Sequence, residues 1–174
     1  MARIPYADPD QPDLAVLVGR VVAERGSVLH LYRMLLHAPE VAEGWLALFT
    51  AVRQRSGLAG ALRELAILRV AALNGAPYEF DQHAPIALAE GLEPHQLDAV
   101  ADWEDSDAFD DVQRAVLAYT DAMTRSVHVP DAVFEEVRRH FDDRGMVELT
   151  VTVAGYNMVS RVLEALAIRS DDRP

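Results

Sequence analysis

The residues whose types and spacing suit chemistry gather between positions 63 and 83. Arg63-Glu64 is followed by Tyr78-Glu79-Phe80-Asp81-Gln82-His83, the densest polar cluster within an apolar context. Glu79 and His83 stand four residues apart and share a face if their segment is helical. A carboxylate one turn from an imidazole orients the ring and raises its basicity, which suits a general acid or base near neutral pH. The same spacing also describes a solvated surface pair, and spacing alone leaves both readings open. Glu64 lies among Leu62, Leu65, Ile67 and Leu68, so helical phase puts it either inside or on the rim. Inside, it must be protonated or paired, with Arg69 or His83 as the candidate partner. A later stretch, Gly155 to Arg161, sets Tyr156 with Ser160 and Asn157 with Arg161 at i,i+4. That stripe suits a ligand, structural hydrogen bonds or a subunit contact.

Other chemistries are excluded by what the sequence lacks. There is no cysteine, so disulfides, thiolate metal sites, thiol nucleophiles and dithiol redox cycles are all ruled out for this chain. The remaining histidines, His30, His37, His95, His128 and His140, fall in no metal-ligand spacing, and no metal is expected. There is no nucleophile elbow, phosphate-cradling glycine loop or dinucleotide fingerprint. A formal charge of −12 repels phosphate backbones and anionic lipid, so neither nucleic acid nor membrane is an expected partner. Every apolar run is broken by a polar residue before the roughly 18 residues that a bilayer span needs. The opening MARIPYADPDQPD fits neither a secretory signal nor a transit peptide, and a cytoplasmic location is expected.

The elements that must position these residues read as helices throughout, because no β-alternation persists beyond a few residues. The expected order starts with an arm over residues 1–12 and a helix from about Asp13 to Glu24. That helix is closed by Gly26, with Leu14, Leu17 and Val21 buried. A short helix over Val28–His37 precedes one opened by Pro39, which carries Val41, Trp45, Leu48, Phe49 and Val52 and ends by Gly57. Ala61 to Leu73 terminates at Asn74-Gly75, and Pro77 opens a helix through Glu90 that contains His83. Pro85 removes a backbone donor two residues after His83, which predicts a kink or restart there. Glu93-Pro94 starts a helix to about Asp102, and the acidic cluster from Asp102 to Asp111 forms a solvated connection. Val112–Arg125 turns Val116, Leu117 and Tyr119 inward. Pro130–His140 and Arg144–Ile168 complete the helices before a fraying polar tail over residues 169–174. Pro39-Glu40 with Glu64-Leu65 echoes Pro130-Asp131 with Glu148-Leu149, which hints at two similar helical units. The fold class is all-α, with one domain over residues 13–168.

The stretch from Arg63 to Leu92, RELAILRVAALNGAPYEFDQHAPIALAEGL, resembles the signature of carboxymuconolactone decarboxylase-like proteins. These belong to the alkylhydroperoxidase D-like superfamily. Met146 to Leu166, MVELTVTVAGYNMVSRVLEAL, is similar to the C-terminal helix of the same branch. The resemblance implies a bundle of about seven to nine helices assembled as a homo-oligomer, a trimer or hexamer. The apolar excess at Trp45–Val52 and Val147–Leu166 is consistent with a subunit interface. In redox-active members a CxxC precedes the histidine, and its positions correspond here to Ala76 and Glu79, so the thiol peroxidase reaction is excluded. The decarboxylases of the family work without metal or organic cofactor, and none is expected here.

By resemblance His83 is the proton donor and Glu64 or Glu79 tunes it, while Tyr78, Tyr156, Asn157 or Arg161 holds the substrate. The expected activity is carbon–carbon lyase chemistry on a small lactone or keto carboxylic acid. The alternative is a non-catalytic ligand-binding or oligomeric scaffold that kept the fold and lost the redox pair.

Overall fold

The computed structural model describes residues 1–172. Among them are nine α-helices and no β-strand: α1 (Ala15–Arg25), α2 (His30–Leu35), α3 (Pro39–Thr50), α4 (Gly60–Asn74), α5 (Pro77–Ala89), α6 (Pro94–Ala99), α7 (Asp111–Ser126), α8 (Asp131–Arg138) and α9 (Asp143–Leu166). Proline at the first position starts α3, α5 and α6, where its missing N–H has no intrahelical acceptor to lose. Gly26 at φ 80° and Gly75 at φ 59° end α1 and α4 in the left-handed region that L side chains avoid. No helix among the described residues is long and apolar enough to cross a membrane.

The described residues form two compact units, one made of residues 1–55 with 163–172, the other of residues 56–162. In the first, the predicted stripe of Leu14, Leu17 and Val21 is buried, as are Tyr32, Trp45 and Phe49. Val41 and Leu48, grouped by sequence with Trp45 and Phe49, are exposed instead, because α3 buries only one face. A π-helical turn over Ala51–Arg55 extends α3 toward Gly57. The first dozen residues are pinned rather than loose. Arg3 N–H donates to the Leu166 carbonyl at 2.9 Å, and Ala7 N–H donates to the Arg33 carbonyl at 3.1 Å. The Tyr6 hydroxyl donates to Asp172 Oδ2 at 2.6 Å, so residues 169–172 are held and the expected fraying does not start there. Arg173 and Pro174 lie outside the described residues.

The second unit carries the site. Its core joins Leu65 and Leu68 of α4, Ala87 of α5, Leu92, Val100, Trp103, Phe109 and Leu117 of α7. The acidic connection behaves as its composition implies: Asp102, Glu104, Asp105, Asp107, Asp110 and Asp111 are exposed while Trp103 and Phe109 turn inward. Arg114 holds this connection by donating to the carbonyls of Trp103, Glu104 and Ser106. Asp110 and Gln113 close a capping box at the start of α7. Val116, Leu117 and Tyr119 are buried as predicted.

Two residues, Gly75 and Ala76, separate α4 from α5, and so short a connection makes the helices antiparallel neighbours. Left-handed Gly75 lets the Ala76 N–H donate back to the Ala71 carbonyl at 2.9 Å, satisfying an orphan group at the end of α4. α5 runs without restarting through Pro85, which supplies no donor to the carbonyl one turn earlier. The restart is therefore excluded.

Candidate active site

The hairpin puts Glu64 of α4 against His83 of α5. Glu64 is 0 % exposed, His83 5 % and Glu79 3 %. His83 Nδ1 and Glu64 Oε2 are 2.6 Å apart. The other Glu64 oxygen, Oε1, accepts from Arg63 Nε at 3.0 Å. Burial alone would raise the Glu64 pKa. The hydrogen bond and charge of His83, joined by those of Arg63, outweigh it and hold the carboxyl below its ordinary 4.5. An ionised carboxylate only accepts, so Nδ1 carries the proton of this bond, and proton exchange falls to Nε2 on the opposite edge of the ring. Nε2 lies 3.6 Å from Glu79 Oε1, one turn back on α5. That is wider than a hydrogen bond and close enough for the two groups to feel each other's charge. The imidazole thus sits between two buried carboxylates, Glu64 bonded to its Nδ1 and Glu79 facing its Nε2.

Tyr156 of α9 completes the surroundings, its ring meeting the His83 ring edge-on with centroids 5.0 Å apart and planes at 89°. The contact fixes the imidazole plane without adding charge. Tyr78 is buried in the first turn of α5. The structure therefore gathers His83, Glu64, Glu79 and Tyr156. Asn157 and Arg161 are engaged elsewhere. Asn157 Nδ2 donates to Thr124 Oγ1 at 2.9 Å and to the Val153 carbonyl at 3.0 Å. Its Oδ1 accepts from Asn74 at 3.1 Å and from Arg161 at 3.1 Å. This clasp ties α4, α7 and α9 together and favours the structural reading of the i,i+4 stripe over ligand contact. Ser160 likewise donates back to the Tyr156 carbonyl at 3.0 Å.

The choice between Arg69 and His83 as the Glu64 partner resolves to His83. Arg69 Nε and Nη2 grip both oxygens of Asp121 at 2.5 and 2.7 Å, while Nη1 reaches the Val100 and Ala101 carbonyls. The sequence shows Arg63 only as a neighbour of Glu64 in the polar cluster, and nothing in its spacing points to the bond between them. The echo of Glu64 in Glu148 does not extend to environment. Glu148 receives the Gly57 N–H at 2.9 Å and Arg144 at the surface and bonds to no imidazole. Among the described residues no group of three or more His, Asp or Glu is arranged to hold a metal ion.

The sequence model of the carboxymuconolactone decarboxylase family matches residues 39–122, which span α3 through most of α7 and include Glu64, Glu79 and His83. Over those residues the chain carries the sequence pattern of the carboxymuconolactone decarboxylase family. A relative described as uncharacterized protein YdfG, from Bacillus subtilis, is 26% identical over 119 residues, 67% of this chain and 81% of that protein. The fold is shared with an alkylhydroperoxidase AhpD core, an uncharacterized peroxidase-related protein from Ralstonia eutropha. That likeness has a TM-score of 0.84 at 24% identity and covers 98% of this chain and 93% of the other. The debrominase Bmp8, solved in complex with 2,3,4-tribromopyrrole, shares the fold with a TM-score of 0.79 at 19% identity over 95% of this chain and 89% of its own. This chain has no cysteine, and its buried histidine lies beside carboxylates in the absence of thiols.

Proposed function

We propose that this protein is a cofactor-free enzyme that transfers a proton through His83 to a small lactone or keto carboxylic acid undergoing decarboxylation. The observation that carries the proposal is the 2.6 Å bond between His83 Nδ1 and ionised Glu64, which stabilises the imidazolium and leaves its second N–H on the side of Glu79. Loss of carbon dioxide leaves the carbon–carbon bonding pair on the adjacent carbon, delocalised into the carbonyl. The Nε2 proton of His83 moves to that carbon, the imidazole is left neutral, and solvent restores the proton. Glu79, 3.6 Å from Nε2, is the group we assign to guide the returning proton. Tyr78 and Tyr156 are assigned to the substrate side, where a phenol can donate to the oxygen that gains charge. Peroxide reduction through a protein thiol has no nucleophile in this chain.

The exposed apolar residues Val147, Val151 and Met158 repeat along one face of α9 and support assembly as a homo-oligomer, a trimer or hexamer. The same face favours the second reading, a scaffold or binding protein in which the Glu64–His83 bond is purely structural.

The deciding experiment measures carbon dioxide release from a panel of small lactone carboxylic acids and β-keto acids, with His83→Ala alongside. Release that falls about 100-fold or more in the variant is the expected result. An unchanged rate in His83→Ala overturns the role of His83. Silence across the panel overturns the decarboxylase and leaves the scaffold.

A further inference from the structure

Arg63 carries the charge network onward from the Glu64–His83 pair. Its Nη2 donates to Glu90 Oε1 at 3.1 Å while its Nε stays on Glu64. The Arg63 side chain is 9 % exposed and that of Glu90 42 %, so the network runs from the buried imidazole to solvent in three charged steps. Glu90 is the residue that caps α5, two turns beyond His83, and its carboxylate rests over the first residue of α4. A Cβ on Gly60 would overlap Glu90 Oε2 and Cδ and stand 3.0 Å from its Cγ. The glycines at positive φ are Gly26, Gly75 and Gly91. Gly60 is not needed for an unusual backbone angle, and what its missing side chain provides is the seat for the Glu90 carboxylate.

We propose that Glu90 is a positioning residue for His83, acting through Arg63 and Glu64, with Gly60 as the seat that keeps its carboxylate on the guanidinium. Glu90 shares the Arg63 charge with Glu64. Take Glu90 away and the whole guanidinium charge bears on Glu64, which then offers less negative potential to the imidazolium. Glu79 on its own helix and the uncharged Tyr156 ring edge from α9 also face His83 and stay as they are. The direction is therefore fixed, and His83 must hold its proton less tightly.

The inference rests on His83 as the proton-transfer group, but its test needs no substrate. The full chain, labelled with 15N in its histidine rings, is titrated by NMR to read the protonation midpoint of His83. Glu90→Gln keeps an acceptor oxygen for Arg63 and removes only the charge. Gly60→Ala keeps the charge and evicts the carboxylate, which is half exposed and able to swing into water. Each variant is expected to lower the His83 proton affinity about twofold, a fall of roughly 0.3 pH unit, because the lost charge is remote and partly screened. The double variant should match either single one, since both break the same link. An unchanged midpoint in Glu90→Gln, or effects that add in the double variant, overturns the proposal. A failed decarboxylation panel with both shifts present would overturn the reaction and leave the network standing.

Discussion

Glu64 in the second unit and Tyr32 in the first are both buried acids bonded to an arginine, and their environments push them in opposite directions. Glu64 is 0 % exposed and Tyr32 3 %. At Tyr32 burial dominates. It raises the phenol above its ordinary 10.0, although Arg25 opposes it through charge and a 3.1 Å hydrogen bond. At Glu64 burial is again the largest single effect, yet the carboxyl ends below 4.5. The difference lies in the count of directed donors. Each Glu64 oxygen has its own charged or chargeable donor, His83 on one and Arg63 on the other. Tyr32 has Arg25, which divides its remaining hydrogen bonds between the Glu24 carbonyl and Thr50 Oγ1. A buried acid keeps its charge only where the fold saturates its oxygens. The molecule does that beside His83, the residue to which the proposed proton transfer is assigned.

The largest test of this contrast is deletion. Glu64→Ala removes the acceptor shared by His83 and Arg63 and should cost about 3 kcal/mol in urea unfolding at neutral pH, the usual scale for breaking a buried ion pair. Tyr32→Phe removes one hydrogen bond without emptying space and should cost about 1 kcal/mol. Equal losses would mean that the two sites are alike and that the donor count decides nothing.

Titration sharpens the same comparison. The Glu64 carboxyl is lower in the folded chain, so its contribution is fully present above its unfolded value of about 4.5 and disappears as pH falls through the lower folded value. Glu64→Gln should therefore show a shallower loss of stability between about pH 5 and pH 3 than the unmodified chain. Tyr32 has the opposite sign. Its phenol is raised, so its contribution is complete below 10.0 and is lost as pH rises through the higher folded value. Tyr32→Phe should flatten the alkaline limb and leave the acid limb unchanged. An acid limb identical in Glu64→Gln would show that Glu64 is not ionised in the folded state.

The helices are legible in the sequence because their boundaries are set by local chemistry. Proline at positions 39, 77 and 94 and glycine at 26 and 75 act within one turn of themselves. The Glu79–His83 proximity is legible for the same reason, being one helical turn. The Glu64–His83 bond depends on how α4 and α5 pack after the turn, and the sequence offers Arg69 as an equal candidate. Arg69 is claimed by Asp121, 52 residues away, a pairing with no local trace. Asn157 and Arg161 show the converse. Their i,i+4 spacing does mark a polar stripe, but the hydrogen-bond partners that engage it, Asn74 and Thr124, lie on other helices. The arm and tail escape a sequence reading because polar, proline-containing ends carry no periodic signal. The bonds of Arg3 and Tyr6 connect residues more than 160 positions apart.

The smallest expected effect supplies the baseline against which the buried pairs are judged. Arg20 and Glu43 form a 3.2 Å ion pair with side chains 51 % and 53 % exposed. Each charge keeps most of its hydration, and ordering two long side chains costs entropy that the weak attraction in water barely offsets. Arg20→Ala should change unfolding stability by less than about 0.5 kcal/mol, and the difference should vanish in high salt. Arg63 also pairs with a half-exposed glutamate, but it is bound to buried Glu64 on its other edge. Arg63→Ala should consequently cost several times more than Arg20→Ala and keep most of that cost in high salt. If salt erased both losses equally, the Arg63–Glu64 pair would be solvated in solution and the contrast between Glu64 and Tyr32 would lose its cause.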